Sequence, residues 1–543
     1  MIRDLARLAH ERFDVLVVGG GVHGAAAARE AAARGLTTAL IEQGDFGHAT
    51  SANSLKIIHG GLRYLQHGDL AKIRESVRAR RAVLQRFPHL TAPLPCVLPT
   101  HGLGARGRPA MAAALMINDL LSADRNLGVS AACRLARGRT ISRAELNRRA
   151  PHLADVRASG GAIWYDGIAL DAERLVLELV LDAAAAGAAV ANHLRAEGFL
   201  RRDNRIVGVR AVDTIAGGTL EIRARVTINA AGPWLGELHR PLCGPRGPAG
   251  PGLAKAINII VGRPLFGDTA VGIESSGGSK RLLFFVPWRG GTMIGTLYLP
   301  HEGSADDCVM TTRDLEMLVG EVNRIHPAAA ITPEEVRFAH VGLLPLDPGL
   351  APGGAAETRL LQRPRLVDAA REFGSEGLVG IVGIKFTTGM TVGARAVDLA
   401  AAKLGRAPQR RSAAQECSPV AAPAPQGSDP ALHERLARTY GAAAGSICRD
   451  IAADGSRARR IVTGQPTTTA EVRHAVHEEM ALSLADVVLR RTPLGTFGHP
   501  GRAVLSACAA TVGDALGWDA AQREREISFV ESHYRRLTGK PDP

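Results

Sequence analysis

Apolar and polar positions divide the chain into short buried runs and longer helical stretches. Phe13-Asp14-Val15-Leu16-Val17-Val18 predicts a buried strand. Alanine-rich Ala25–Ala33 is a strong helix former, closed by Arg34-Gly35 as a C-terminal cap. Thr37–Ile41 predicts a second strand. Leu170–Ala185 reads as a further helix, and the apolar stretch before Asn229 as a strand returning to the same sheet. Between Arg406 and Pro430 the periodicity fades into five prolines and many alanines, which predicts a linker. Beyond it the pattern is helical to about residue 540. No apolar run reaches the ~18 residues of a spanning helix. Leu175–Leu194 comes nearest, and Glu178 and Asp182 interrupt it. The N-terminal run is too short, and Asp4, Glu11 and Asp14 too acidic, for a signal peptide. The expectation is a cytoplasmic protein that at most lies on the inner membrane surface.

The first strand runs straight into Gly19-Gly20-Gly21-Val22-His23-Gly24. Strand, glycines, helix, second strand and the acid Glu42 fall in the order of a dinucleotide-binding βαβ unit. Gly19 makes the tight turn, Gly21 admits a pyrophosphate, and Gly24 lets helix and strand pack closely. The helix N-terminus offers unpaired N–H groups to the phosphates. Glu42, 18 residues past Gly24, stands where a carboxylate accepts bonds from ribose hydroxyls and repels a 2′-phosphate. This unit alone leaves NAD and FAD open.

Ala49–Leu65 is a polar loop in which Thr50, Ser51 and Ser54 offer hydroxyls, Gly60-Gly61 offer backbone N–H groups, and Arg63 supplies a cation. Its Lys56-Ile57-Ile58-His59-Gly60-Gly61-Leu62-Arg63-Tyr64-Leu65 resembles a signature of the aerobic, FAD-dependent glycerol-3-phosphate dehydrogenases. Asn229-Ala230-Ala231-Gly232-Pro233-Trp234, Phe284–Trp288 with Ile294-Gly295-Thr296, and Gly383-Ile384-Lys385-Phe386-Thr387-Thr388 are similar to further motifs of that family, in order. Val472–Leu494 resembles its C-terminal helical domain, so the likeness spans nearly the whole chain.

The resemblance implies an α/β fold: a Rossmann-type FAD-binding domain, an inserted mixed-sheet substrate domain and a C-terminal α-helical domain. The expected segments are 1–90, 160–233 and 374–404 for FAD, 91–159 and 250–350 for cap and substrate, 406–430 for the linker, and 431–540 for the helices. FAD is implied as cofactor, held by Gly19, Gly21, Gly24, Glu42, Thr50, Ser51, Ser54, Gly60, Gly61, Ala231, Gly232, Trp234, Gly383, Lys385, Phe386, Thr387 and Thr388. The implied reaction oxidises a secondary alcohol to a ketone, with hydride passing to the flavin and electrons on to quinone or another acceptor. Arg63 and Lys385 are expected near the substrate anion, a small polyol phosphate. His59, Tyr64 and Thr388 line the pocket, Lys385 also faces the flavin N1–C2 edge, and His59 and His340 are candidate bases.

Departures from the family pattern cluster at the substrate. Leu55 precedes Lys56 in place of serine, Asn258 replaces a histidine, and Leu344 replaces the phosphate-binding arginine. Gly295-Thr296-Leu297-Tyr298 and Gly389-Met390 also depart. Three readings therefore stay open: a glycerol 3-phosphate dehydrogenase, a relative acting on another hydroxy or amino compound, and a non-catalytic flavoprotein.

Charge adds one consideration. Lys and Arg total 66 against 53 Asp and Glu in 543 residues, a net +13 that suits an anionic substrate. With aromatics at 4% and no reader motif, the basic runs Arg78–Arg81 and Arg457–Arg460 predict solvated helix faces, and no nucleic-acid partner. The seven scattered cysteines show no metal-site spacing and read as reduced thiols. Arg106–Leu127 is apolar with a basic rim, a composition suited to a membrane headgroup layer or to a core helix. The oligomeric state stays open, with a homodimer among the options.

Overall fold

The computed structural model describes residues 1–151, 153, 158–243, 250–275, 282–347, 360–406 and 429–538. These residues form two sheets, of eight and nine strands, and a C-terminal group of helices. The segment expected as a linker, 406–430, lies outside the described residues except at its two ends.

The first sheet runs in the order Arg365–Asp368, Leu378–Val382, Thr219–Asn229, Arg12–Val18, Thr38–Ile41, Ala189–Ala191. Along this path pairing is parallel except at the Arg365–Asp368 edge, and Arg205–Asp213 and Leu194–Arg202 join Thr219–Asn229 as an antiparallel extension. Parallel strands are covered on both faces, hence the near-continuous apolar run of Arg12–Val18. Val15 and Val17 pack against the helices Val22–Ala33, Ala172–Ala185 and Gly389–Lys403. Leu16 and Val18 face the opposite layer with Leu194, Val209 and Ala211, from the antiparallel strands Leu194–Arg202 and Arg205–Asp213. Small residues let the helices close in: a Cβ on Gly393 would lie 2.8 Å from the Ala27 nitrogen.

The second sheet runs Val336–Pro345, Leu253–Val261, Gly291–His301, Leu282–Trp288, Ala270–Glu274, Thr91–Thr100, Gly160–Ala169, Ile57–Ile58. It is mixed, because Ala270–Glu274 pairs parallel with Thr91–Thr100. Two boundaries differ from the sequence expectation. Gly160–Ala169 pairs along its length with Thr91–Thr100, so it belongs to this sheet and not to the flavin-side segment. The chain returns to the first sheet only through the helix Ala172–Ala185, capped by Asp171. Arg365–Asp368 already pairs with Leu378–Val382, so the last return precedes residue 374. A buried strand reads the same from its periodicity whichever sheet receives it.

The C-terminal helices Thr469–His477, Arg502–Leu516 and Ala520–Thr538, with the turn Val487–Arg491, pack on the second sheet through Val472, Val488, Val530 and Tyr534 against Trp288 and Phe338, while Pro430–Tyr440 and Ala444–Ala453 form a separate cluster closed by Ala470. Buried ion pairs fix them to the first sheet. Arg491 donates to both carboxylate oxygens of Asp45, at 2.6 and 2.7 Å, with both side chains 0% exposed. Arg490 bridges Asp45 and Asp486, and His193 meets Asp486 at 2.9 Å. Burial raises the Asp45 pKa, but Arg491 and Arg490 outweigh it and hold the group below its ordinary value. Asp45, His193 and Asp486 converge as cation ligands do, and the two guanidiniums satisfy their carboxylates.

Candidate functional site

The site begins where Arg12–Val18 ends. Gly19 sits at φ 103°, and a Cβ there would lie 2.5 Å from the Ala230 carbonyl oxygen. A Cβ on Gly24 would collide with the Gly19 carbonyl oxygen, so turn and helix meet only because both are glycine. Glu42, at the end of the neighbouring strand, accepts the N–H groups of Gly20 at 2.6 Å and Gly44 at 2.9 Å, which leaves its carboxylate further acceptor capacity. The helix Val22–Ala33 has no acid in its first turn and no cap from its own N-cap residue, Gly21. Ser51, from the polar loop, accepts the Val22 N–H at 2.9 Å. A glycine cradle, a helix N-terminus and a buried carboxylate fit the pyrophosphate and ribose of a dinucleotide.

A second helix N-terminus lies beside the first. Gly389–Lys403 starts at Thr388 without a side-chain cap or an acid in its first turn, and Gly389 packs on Val22. Gly383 packs on the His23 ring, which burial holds neutral with a pKa of about 4. The loop from Thr50 to Gly61 crosses both ends and is anchored from behind. The Thr50 hydroxyl donates to the Leu343 carbonyl at 3.0 Å and accepts the Leu343 N–H at 3.2 Å. Ser54 accepts the Lys56 N–H at 3.3 Å. Buried Lys56 donates to Glu173 and to the Ala52 carbonyl, each at 2.7 Å. Gly60 donates to Asp166 at 2.6 Å, the His59 N–H donates to the Thr387 hydroxyl at 3.3 Å, and Gly61 turns at φ 83°. Asp166 also takes Arg80 and, at 3.0 Å, the Trp164 indole N–H. Thr388 donates to the Lys385 carbonyl at 3.3 Å, and Phe386 packs against the first core.

Three cations gather around one phenol. Lys385 and Lys72 each place Nζ 4.2 Å from the Tyr64 ring centroid, and exposed Arg63 stands 5.7 Å from it. Among the described residues no carboxylate pairs with the side chains of Arg63, Lys385 or Lys72. Burial, then Arg63, lowers the Lys385 pKa to about 7. The His59 ring lies 6.5 Å from the Tyr64 ring. Burial, then Lys385, pushes its pKa down to about 3, so the imidazole is neutral. Ammonium and guanidinium groups with no carboxylate bonded to them suit an anion, and a neutral imidazole lies beside them.

Other candidates lie apart from this cluster. His340 is buried with both ring nitrogens unpartnered and its ring 5.1 Å from Phe338. Burial, then Lys56 and Arg289, holds it neutral. It sits opposite Asn258, whose side-chain oxygen accepts the Thr296 hydroxyl at 2.7 Å. Trp234 turns its indole N–H to Asp306 at 2.8 Å, while Ala231 is held by the Asn229 side chain at 3.1 Å and Gly232 turns at φ 57°. Leu344 is half-buried on Val336–Pro345. Sequence reasoning missed Asp166, Arg80, Glu173 and Lys72. A signal existed for two of them: Lys72, Ser76 and Arg80 recur every four residues on the buried face of Leu70–Arg86.

The family described as FAD dependent oxidoreductase matches residues 14–399, and the C-terminal domain of alpha-glycerophosphate oxidase matches 391–523. The glycerol-3-phosphate dehydrogenase of Synechocystis sp. is 30% identical, over 97% of each chain. Glycerol-3-phosphate dehydrogenase 2 of Mycobacterium tuberculosis is 31% identical, over 96% of this chain and 88% of the relative. The structure of glycerol-3-phosphate dehydrogenase from Bacillus halodurans, complexed with FAD, superposes with a TM-score of 0.74 at 22% identity, over 99% of this chain and 98% of that one.

Proposed function

The chain belongs to the FAD-dependent glycerol-3-phosphate dehydrogenase family of FAD oxidoreductases, and from this we propose that it oxidises glycerol 3-phosphate at its secondary hydroxyl to the ketone. The observation that carries the proposal is the cation cluster around Tyr64, with neutral His59 beside it. Gly19, Gly21 and Gly24, the Val22–Ala33 N-terminus and Glu42 would hold the dinucleotide, with the loops at 50–61 and 383–388 beside them. FAD, when bound, accepts the carbinol hydride. Arg63 and Lys385 bind the phosphate by charge-assisted hydrogen bonds and so fix the carbinol carbon. An imidazole nitrogen of His59 takes the hydroxyl proton. Asp166 and Thr387 hold the backbone on either side of that ring, so His59 is oriented by groups outside the reaction. Anaerobic addition of sn-glycerol 3-phosphate to the holoenzyme should bleach the flavin. A flavin that dithionite reduces and glycerol 3-phosphate leaves untouched would refute the proposal.

The electrons then pass to a quinone at a lipid surface. The helix Arg108–Leu121 supports this reading by turning apolar side chains outward: Met116 is 63% and Leu120 72% exposed, with Ile117 beside them and Leu103, 91% exposed, on the preceding loop. Exposed Arg108 opens the same helix in the row of Met116 and Leu120, a cation suited to anionic headgroups. No helix among the described residues is long and apolar enough to cross a membrane. Sedimentation with phosphatidylglycerol-containing vesicles should capture the protein and fail for M116E/L120E. Equal capture of both would remove this face from membrane contact.

A further inference from the structure

Leu344 stands where the family pattern has a guanidinium, and a different element brings a further cation to the Tyr64 ring. Lys72 lies on the buried face of Leu70–Arg86, with Ile73, Ser76 and Val77. Its ammonium is as close to the Tyr64 ring as that of Lys385, at 4.2 Å. It donates to Gln362 Oε1 at 3.4 Å. The neighbouring Leu361 donates its N–H to the Pro345 carbonyl at 2.9 Å, one residue past Leu344. Lys72 thus reaches the end of the strand where the arginine is missing.

The acids nearby, Asp69 and Glu75, act on this ammonium through space and do not bond it. Asp69 accepts the backbone N–H of Lys72 at 3.1 Å, and its other oxygen is taken by Arg363 at 2.7 Å. Among the described residues no carboxylate bonds the Lys72 ammonium. A lysine held at a core-facing position, sharing a phenol with another lysine, is unfavourable until an anion arrives.

We propose that Lys72 is the third anion ligand of this pocket, standing in for the arginine absent at position 344, and that it restricts the enzyme to phosphorylated polyols. The inference rests on the functional reading above, deepening it at one residue. In substrate the phosphate oxygens lie between Lys72, Lys385 and Arg63, while the hydroxyl end is left to His59.

Titration of the holoenzyme with inorganic phosphate, read by the flavin absorption change, tests this independently of turnover. Losing one hydrogen bond to a charged group should weaken phosphate binding roughly ten- to a hundredfold in K72M. Under the same change KM for sn-glycerol 3-phosphate rises by a similar factor, while kcat stays within about threefold, and K72R stays near wild type. L344R placed in the K72M background should recover about tenfold or more. If K72M loses its flavin, Lys72→Gln carries the same test. Phosphate binding within about twofold of wild type in the Lys72 variant overturns the assignment, and no recovery with L344R overturns the replacement of one cation by the other. Should wild-type flavin resist glycerol 3-phosphate while phosphate binding still depends on Lys72, the activity reading falls and the anion ligand stands. Should glycerol 3-phosphate reduce the flavin normally while the Lys72 variant binds phosphate as wild type does, the activity reading stands and Lys72 is no ligand.

Discussion

The Lys385 ammonium makes phosphate affinity a function of pH. Burial and Arg63 lower its pKa to about 7, so at pH 8 most of the free site carries a neutral amine. A phosphate charge ~4 Å away, at an effective dielectric of ~20, contributes ~4 kcal/mol, or ~3 pKa units. The occupied site should therefore keep this proton to about pH 10, so binding above pH 7 takes up one proton. Affinity then falls about tenfold per pH unit, on the order of a hundredfold between pH 7.5 and 9.5. Below pH 7 this slope vanishes, and protonation of inorganic phosphate itself, whose second ionisation falls close to neutrality, weakens binding instead. The assay is the phosphate dissociation constant of the holoenzyme from pH 6 to 9.5. K385R, always charged, should give a flatter line. A wild-type constant that varies less than about twofold between pH 7.5 and 9.5, or an equal slope in K385R, would refute the reasoning. The same shift acts in the other sense on the unliganded fold. The unfolded chain holds this proton to ~10, so stability rises with pH from about 7 to that value.

Other variants test separate parts of the structure. Gly24→Ala forces a methyl group into the Gly19 carbonyl, so the purified protein should be colourless or fail to fold; a yellow, wild-type-like preparation would contradict the cradle. His59→Asn should lower kcat by on the order of 10²–10⁴ with phosphate affinity within about threefold, and a variant keeping a tenth of kcat would take His59 out of proton transfer. Arg491→Met leaves buried Asp45 to Arg490 alone and should cost about 1–3 kcal/mol in urea unfolding, with most of it regained in D45L/R491M. A loss below ~1 kcal/mol would mean water reaches the pair. Since Asp45 and Asp486 are held below their ordinary values, the stability they contribute is present above pH ~4 and lost as pH falls further.

The flavin-side cradle is legible in the sequence because its chemistry is local. A tight turn, a helix start and an acid at the end of the next strand fall within Phe13–Glu42, and each leaves a residue-type signature. The pocket is legible only where it coincides with the same loops, at His59, Arg63, Tyr64 and Lys385. What tightens that pocket comes from distant elements. Asp166 belongs to a strand whose sheet the periodicity leaves undetermined, and Glu173 pairs with Lys56 across 117 residues. In sequence Lys72 resembles any helix-surface lysine, and its role depends on the fold turning that face inward. His340, expected as a base from its place beside the altered strand, meets Phe338 and not the cations. One strand position decides which layer a side chain enters, and spacing alone does not reveal it.

The charges buried between Asp45, Asp486, Arg490 and Arg491 bear on how this chain can change over generations. Replacing any one of them unbalances the charge of a buried network, so drift at these positions proceeds by paired exchange or stalls. The C-terminal helical domain is for the same reason no detachable appendage, and a hybrid joining it to another relative's sheet inherits a mismatch unless both sets of charges travel together. Covalent continuity matters less than this electrical fit. A chain cut once between residues 406 and 429 should remain a single particle, its two fragments co-eluting until acid or denaturant separates them.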